Sequence, residues 1–177
     1  MRFALTAGHG GSDPGNTKGG EREADLMTDL RYLVAHKLRQ EGHTVNEDGG
    51  HGENWPLPQA IRLISSCDLA VELHTNASEN PTASGVEVVS LPIHRETSQR
   101  IASAIGKVLQ IPVRRDAGWL SAYTVQKERG FLPGFTRFGG LIVEVFFQSN
   151  ARDLAMYKER KWLVASAIAR AMQGAQS

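Results

Sequence analysis

The chain has 177 residues, one cysteine and a formal net charge of +1. This length is typical of one compact domain, a lone cysteine excludes an intrachain disulfide, and the balanced charge argues against a nucleic-acid-binding protein. No stretch approaches the about 20 apolar residues of a membrane span, so stable membrane insertion is not expected. The first residues lack a secretory signal pattern, which predicts synthesis in the cytoplasm.

The first predicted strand opens into a glycine-rich loop that carries a histidine. Residues 3–7 are apolar, and residues 8–16 read Gly-His-Gly-Gly-Ser-Asp-Pro-Gly-Asn. This composition favours a sharp turn at the C-terminal edge of a sheet, which is where open α/β sheets bind ligands. The loop lacks both the P-loop lysine and the dinucleotide-binding pattern of glycines. His9 is therefore a candidate site residue, although a histidine that only caps a turn fits the loop equally well.

The following segments alternate between helical and strand patterns. Leucines recur along residues 21–41 with the spacing of a helix that buries one face. The later patterns predict strands at 43–47, 68–74, 85–91 and 141–147, and helices at 56–66, 96–109 and 153–172. This order favours an α/β fold, a single domain over residues 1–177 with a twisted, mainly parallel sheet and helices on both faces.

Two segments differ from the rest of the chain in their composition. Residues 141–147 form the most apolar segment, which predicts a central strand that is buried on both faces. Residues 117–140 combine aromatic residues with glycine and proline and show no helical period. They form either the wall of a groove or an aromatic plug at one end of the core.

Three candidate metal ligands lie at the ends of predicted elements. His9 follows the first strand, Glu21 begins the first long helix, and His74 ends the strand at residues 68–74. In a parallel sheet the two strand ends meet at one edge, so two imidazoles and one carboxylate converge. Three such ligands with an open fourth position are typical of catalytic zinc, which lowers the pKa of bound water to about 7. Glu23 competes with Glu21 for the carboxylate position.

Two further carboxylates have a candidate role in such a site. Glu144 interrupts the apolar segment at 141–147, where an unpartnered carboxylate is costly, so we interpret it as the catalytic acid and base. Glu72 lies two residues before His74 and shares its strand face. It orients that histidine, assists as an acid or base, or pairs with an arginine such as Arg62. The other four histidines, in predicted helices, strands or loops, are not expected to be ligands: His36, His43, His51 and His94.

Four ordered segments resemble the zinc-dependent N-acetylmuramoyl-L-alanine amidases of the Amidase_3 type. They are residues 7–16, Glu21 with Leu26 five residues later, residues 72–77 and residues 143–150. The resemblance covers nearly the whole chain in the right order. It implies hydrolysis of the amide between N-acetylmuramic acid and L-alanine in peptidoglycan, with His9, Glu21 and His74 as zinc ligands and Glu144 as the catalytic glutamate. Glu21 is preferred to Glu23 because of its distance from the first helix leucine.

The sequence departs from the family pattern in two places. The segment before His74 is short and lacks the Thr-Arg pair that commonly follows the second strand, so the wall formed by residues 48–55 is in question. The long insertion that blocks regulated periplasmic amidases between His74 and Glu144 is also missing, which predicts an open site. The chain thus resembles a small phage-type lysin that reaches the cell wall after release by another protein.

Two other functions stay open at this point. A zinc carboxypeptidase that acts on free peptides would use similar ligands, with Arg62 or Arg129 holding the terminal carboxylate. A cell-wall-binding module without catalysis would use the aromatic residues between Trp119 and Phe138. Mass spectra of digested muropeptides separate these possibilities, because only the amidase frees intact stem peptides from glycan.

Overall fold

The structure, a computed structural model, describes residues 1–174. Its strands are β1 (Arg2–Ala7), β2 (Thr44–Glu47), β3 (Leu69–Asn76), β4 (Glu87–Ser90), β5 (Trp119–Ser121) and β6 (Leu141–Phe147). Its α-helices are α1 (Glu23–Gln40), α2 (Leu57–Arg62), α3 (Arg95–Leu109), α4 (Ala122–Arg129), α5 (Gly134–Arg137) and α6 (Ala151–Met172). None of the helices within these residues is long and apolar enough to cross a membrane.

The strands form one sheet in the order β2-β1-β3-β6-β4-β5. Neighbouring strands are parallel except at the β4–β6 pair, which is antiparallel. The predicted α/β fold with a mainly parallel sheet is therefore confirmed. Because β1, β3 and β6 run in the same direction, their C-terminal ends lie at one edge of the sheet.

Helices cover both faces of the sheet, as predicted. The larger core lies on one face, where side chains such as Phe3, Leu5 and Val143 pack with residues of α1, α3 and α6. On the second face, Ala4 and Ala70 pack against Phe135 of α5. Farther along the second face, residues of β4 and β5 pack against α4. The short helices of the second face cover it less completely than the long helices cover the first.

The strand alternation places the candidate carboxylates on this second face. Val71 and Leu73 of β3 belong to the core of the first face, so Glu72 and His74 point to the second. The central position of β6 is confirmed, because β6 lies between β3 and β4. Its expected burial on both faces is only partly right, since the second-face residue Glu144 is only partly buried.

Two segments differ from their sequence-based predictions. Residues 117–140, which show no helical period in the sequence, contain β5, α4 and α5. These elements are too short to show a period, and they depend on packing against the second face of the sheet. The first long helix begins at Glu23 and not at residue 21, because a 3₁₀ turn at Lys18–Gly20 leads into an extended Glu21.

A buried ion pair joins α1 to the loop that follows β2. Arg31 and Asp48 are fully buried, and the Arg31 Nη1 atom lies 2.6 Å from Asp48 Oδ1. The second terminal nitrogen of Arg31 donates to the carbonyls of Gly50 and Glu53 at 2.6 and 2.8 Å. One guanidinium therefore organises the loop at residues 48–54, which borders the His9 loop.

Replacement of Arg31 by methionine should strongly destabilise the protein. The change removes the partner of a buried carboxylate, and breaking a buried ion pair from one side costs about 3–5 kcal/mol. Urea denaturation at neutral pH measures this loss of unfolding free energy. Arg39→Met is the matched control, since Arg39 is about half exposed and pairs with Glu47 at 2.6 Å. We expect the control to lose under about 1 kcal/mol, and equal losses would contradict the prediction.

Candidate active site

Two histidines and a glutamate converge at the C-terminal edge of the sheet. His9 Nε2 lies 3.4 Å from Glu23 Oε2, and His74 Nδ1 lies 3.2 Å from Glu23 Oε1. The ligand-type atoms of the three residues all lie within 4.8 Å of one another. The glycine-rich loop after β1, the first turn of α1 and the end of β3 each supply one of these side chains.

Glycines near His9 allow this close approach. A Cβ atom on Gly8 would lie 2.0 Å from Cε1 of His74, and one on Gly15 would lie 2.6 Å from Cδ2 of His9. His9 itself has a positive φ of 65°, which is uncommon for a residue other than glycine. The loop therefore wraps tightly around the two imidazoles.

The structure places Glu23 in the cluster and Glu21 outside it. Glu21 is in extended conformation before α1, and its carboxylate pairs with Lys158 of α6. Glu23 is 2% exposed and accepts hydrogen bonds from the backbone amides of Asn16 and Thr75 at 2.9 and 2.8 Å. The preference for Glu21 is thus corrected in favour of its competitor, because the backbone bends before the helix starts.

Each histidine of the cluster contacts a second carboxylate through its other ring nitrogen. His9 Nδ1 lies 2.8 Å from Asp13 Oδ2, and His74 Nε2 lies 3.2 Å from Glu72 Oε2. Such contacts fix the orientation of a ligating imidazole and raise its basicity. Of the roles left open for Glu72, the structure shows the contact with His74.

The negative groups around His74 favour its protonated form. Burial by itself disfavours the imidazolium, but hydrogen bonds to Glu23 and Glu72 raise the pKa of His74 well above its ordinary value. Burial also opposes ionisation of Glu23, yet the hydrogen bond and charge of His74 lower the pKa of that carboxyl. The carboxylates of the cluster therefore favour a positive charge between them.

Glu144 lies on β6 directly opposite His74 in the strand register. Its Oε2 atom is buried and has no hydrogen-bond partner among the described residues. Burial raises the pKa of Glu144 to about 7, although the nearby charge of His74 acts in the opposite direction. A carboxyl group with this pKa exchanges a proton readily near neutral pH.

Comparison with known proteins identifies the family. The sequence matches the family N-acetylmuramoyl-L-alanine amidase over residues 4–174. The chain belongs to this amidase family. A crystal structure from Neisseria meningitidis, described as a candidate N-acetylmuramoyl-L-alanine amidase, is 40% identical, with a TM-score of 0.88 and coverage of 97% of this chain and 93% of that one.

More distant similarities agree with the fold of this amidase-family chain. An N-acetylmuramoyl-L-alanine amidase from Clostridium difficile 630 is 21% identical, has a TM-score of 0.80, and aligns over 97% of this chain and 94% of its own. The uncharacterised protein YqiI of Bacillus subtilis is 27% identical over 153 residues, which are 84% of this chain and 71% of that protein.

Two clefts meet at the histidines of this amidase-family chain. One, of about 500 Å³, is bordered by the His9 loop and by Trp55 and Leu57. The other, of about 300 Å³, contains Glu144 and extends along β4, β5 and α4. Residues 117–140 therefore form both a groove wall and part of the core. Phe131 lines this cleft, and Phe135 is buried beneath the sheet.

Sequence reasoning missed several residues that shape the site. Asn54 donates hydrogen bonds to the carbonyls of Ala7 and His9, but it lies in a polar loop without any distinguishing pattern. The sequence pattern indicates only a turn at Asp13, although its four-residue distance from His9 is a signal of a possible contact. Arg62, considered for substrate binding, lines neither cleft, whereas Arg129 lines the smaller one.

Glu144→Gln should change how stability depends on pH in chelator-treated protein. The pKa of Glu144 rises from 4.5 to about 7 on folding, so the folded state holds more protons than the unfolded state between these values. The contribution of Glu144 to stability is therefore present below pH 4.5 and is lost as the pH rises through about 7. Glutamine mimics the neutral carboxyl, so the variant should gain stability relative to wild type as the pH rises.

Thermal denaturation of both proteins between pH 4.5 and 8 measures this difference. A melting-temperature difference that does not change with pH would contradict the prediction. Glu79→Gln is a suitable control because Glu79 is a fully exposed surface carboxylate that pairs with Lys18.

Proposed function

We propose that this chain is a zinc-dependent amidase that cleaves peptidoglycan between N-acetylmuramic acid and the L-alanine of the stem peptide. The observation that carries this proposal is the cluster of His9, Glu23 and His74 beside the unpaired carboxyl of Glu144. Membership of the amidase family supports the reaction class. The cluster adds the residues that can perform it.

The chemistry of the cluster fits a zinc ion. Two imidazole nitrogens and one carboxylate oxygen form a ligand set that catalytic zinc uses together with an open position. The contacts of Asp13 and Glu72 leave His9 Nε2 and His74 Nδ1 facing Glu23, as ligation requires. The carboxylates that raise the pKa of His74 also favour a cation at this position.

When bound, zinc would supply Lewis-acid activation of water and of the lactyl carbonyl. Glu144 would accept the proton that the attacking water loses as its oxygen bonds to the carbonyl carbon. Glu144 would then deliver this proton to the nitrogen of L-alanine as the carbon–nitrogen bond breaks. The products are a lactyl carboxylate and a free peptide amine. Its pKa of about 7 suits Glu144 to both transfers.

We further propose that residues 1–177 act as one catalytic domain on the cell wall after release from the cytoplasm. The two clefts meet at the cluster, and the larger of them has exposed side chains at its border, including Trp55 and Leu57. An accessible site of this kind suits a polymeric substrate.

Glu23→Gln should remove bound zinc and lysis together. The substitution replaces the carboxylate ligand with a neutral amide, while Glu21→Gln changes only a surface carboxylate that pairs with Lys158. We expect wild type and Glu21→Gln to bind about one zinc ion per chain and the Glu23 variant to bind far less. Metal analysis after dialysis, with turbidity loss of peptidoglycan suspensions, measures both properties. Zinc lost from Glu21→Gln and kept by Glu23→Gln would overturn the ligand assignment.

Glu144→Gln should abolish turnover without releasing zinc. Loss of a general acid and base typically lowers the rate by about 10²–10⁴-fold, and Glu144 is outside the three-ligand cluster. Wild-type lysis should also stop with a chelator and return with added zinc. Lysis that survives both the substitution and the chelator would place the catalytic groups elsewhere. Glu159→Gln serves as a control, since Glu159 is exposed on α6.

A further inference from the structure

The smaller cleft has an apolar wall and a charged rim. Leu120, Val125 and Ile142 line it next to Glu144, and Phe131 and Pro133 complete its border. Arg129, the last residue of α4, also lines this cleft. The following residue, Gly130, has a φ of 80° and turns the chain toward Phe131. The end of α4 thus holds a guanidinium at the border of the catalytic site.

Arg129 differs from the other arginines near the cleft because its guanidinium is unpaired. Within residues 1–174, no side-chain hydrogen bond or salt bridge involves it. By contrast, the neighbouring carboxylate Glu87 accepts from Arg114 at 2.9 Å and from Arg115 at 3.3 Å. Among the described residues the cleft therefore offers one guanidinium without a partner, while two of its three carboxylates, Glu23 and Glu87, already have partners and the third is Glu144.

The two clefts also differ in their cationic side chains. The larger cleft, bordered by Trp55, has no lysine or arginine among its described lining residues. The smaller cleft has Arg129, together with the carboxylates of Glu23, Glu87 and Glu144. A negatively charged group of a substrate that spans both clefts therefore finds a guanidinium at the Arg129 border of the smaller cleft. A guanidinium suits a carboxylate in particular, because it can donate two parallel hydrogen bonds.

We propose that Arg129 binds a carboxylate of the stem peptide and thereby places the peptide half of the substrate in the smaller cleft. This inference rests on the proposed amidase function. In peptidoglycan the glycan next to the scissile amide is uncharged, while the peptide carries carboxylates. The α-carboxylate of the D-glutamate that follows L-alanine is the stem carboxylate nearest to the scissile amide, and we assign this carboxylate to Arg129.

A set of four synthetic substrates tests this assignment. Each is a disaccharide that carries L-Ala-γ-D-Glu-L-Lys-D-Ala, with the glutamate α-carboxylate and the terminal carboxylate separately free or amidated. Steady-state kinetics are measured with zinc-loaded wild type, Arg129→Gln, Arg129→Lys and Lys127→Gln. Lys127 is the matched control, because it is exposed on the same helix but does not line the cleft.

We expect wild type to prefer a free glutamate α-carboxylate by about tenfold in kcat/KM, as loss of a charge-assisted hydrogen bond predicts. Arg129→Gln should lose this preference mainly through KM, Arg129→Lys should keep part of it, and Lys127→Gln should keep all of it. The terminal carboxylate should have little effect in any protein.

The possible failures are distinguishable. Equal hydrolysis of all four substrates by wild type, or an unchanged preference in Arg129→Gln, would overturn the role of Arg129 and leave the amidase function intact. A preference for the terminal carboxylate would assign Arg129 to the end of the peptide and overturn the placement of glutamate. Failure of wild type to hydrolyse any of the four would overturn the proposed function itself.

Discussion

The site depends on one buried carboxylate, that of Glu23. Its two oxygens contact His9, His74 and the backbone amides of Asn16 and Thr75, so it joins the glycine-rich loop, α1 and the end of β3. Burial of a charged group is unfavourable unless hydrogen bonds and opposite charge compensate it. Here two amides donate to the carboxylate, and the surrounding carboxylates favour the protonated form of the His74 imidazole that Glu23 contacts. The same arrangement that satisfies Glu23 brings the two imidazoles together.

A second buried charge, that of Arg31, holds the loop that borders the site. Arg31 holds Asp48 and the carbonyls of the following loop, and Asn54 of that loop donates to the carbonyls of Ala7 and His9. Buried ion pairs add little net stability compared with apolar packing, but removing one partner is costly. The pair therefore acts mainly as a constraint on geometry. It fixes the loop that holds His9 in its left-handed conformation.

Incomplete coverage of the second sheet face makes this geometry accessible. Long helices pack on the first face, whereas α2, α4 and α5 leave the C-terminal ends of β3 and β6 beside open clefts. Glu144 therefore combines a buried, unpaired oxygen with a position next to the space where a substrate can lie. The apolar neighbours that raise its pKa are also the wall of the cleft. The first face of these strands packs into the core that stabilises the sheet, and the second face carries the candidate catalytic side chains.

The amino-acid sequence was enough to predict the α/β class, the central position of residues 141–147, the family resemblance, and His9, His74 and Glu144 as candidates. Periodicity, glycine-rich turns and a carboxylate in an apolar strand are local signals. They can be recognised without knowing the contacts between distant segments. Long-range contacts distinguish Glu23 from Glu21, because the backbone amides of Asn16 and of Thr75, the latter 52 residues away, donate to the Glu23 carboxylate. The short elements of residues 117–140 and the position of Arg129 also became apparent in three dimensions. These depend on packing between distant segments, which no local pattern encodes.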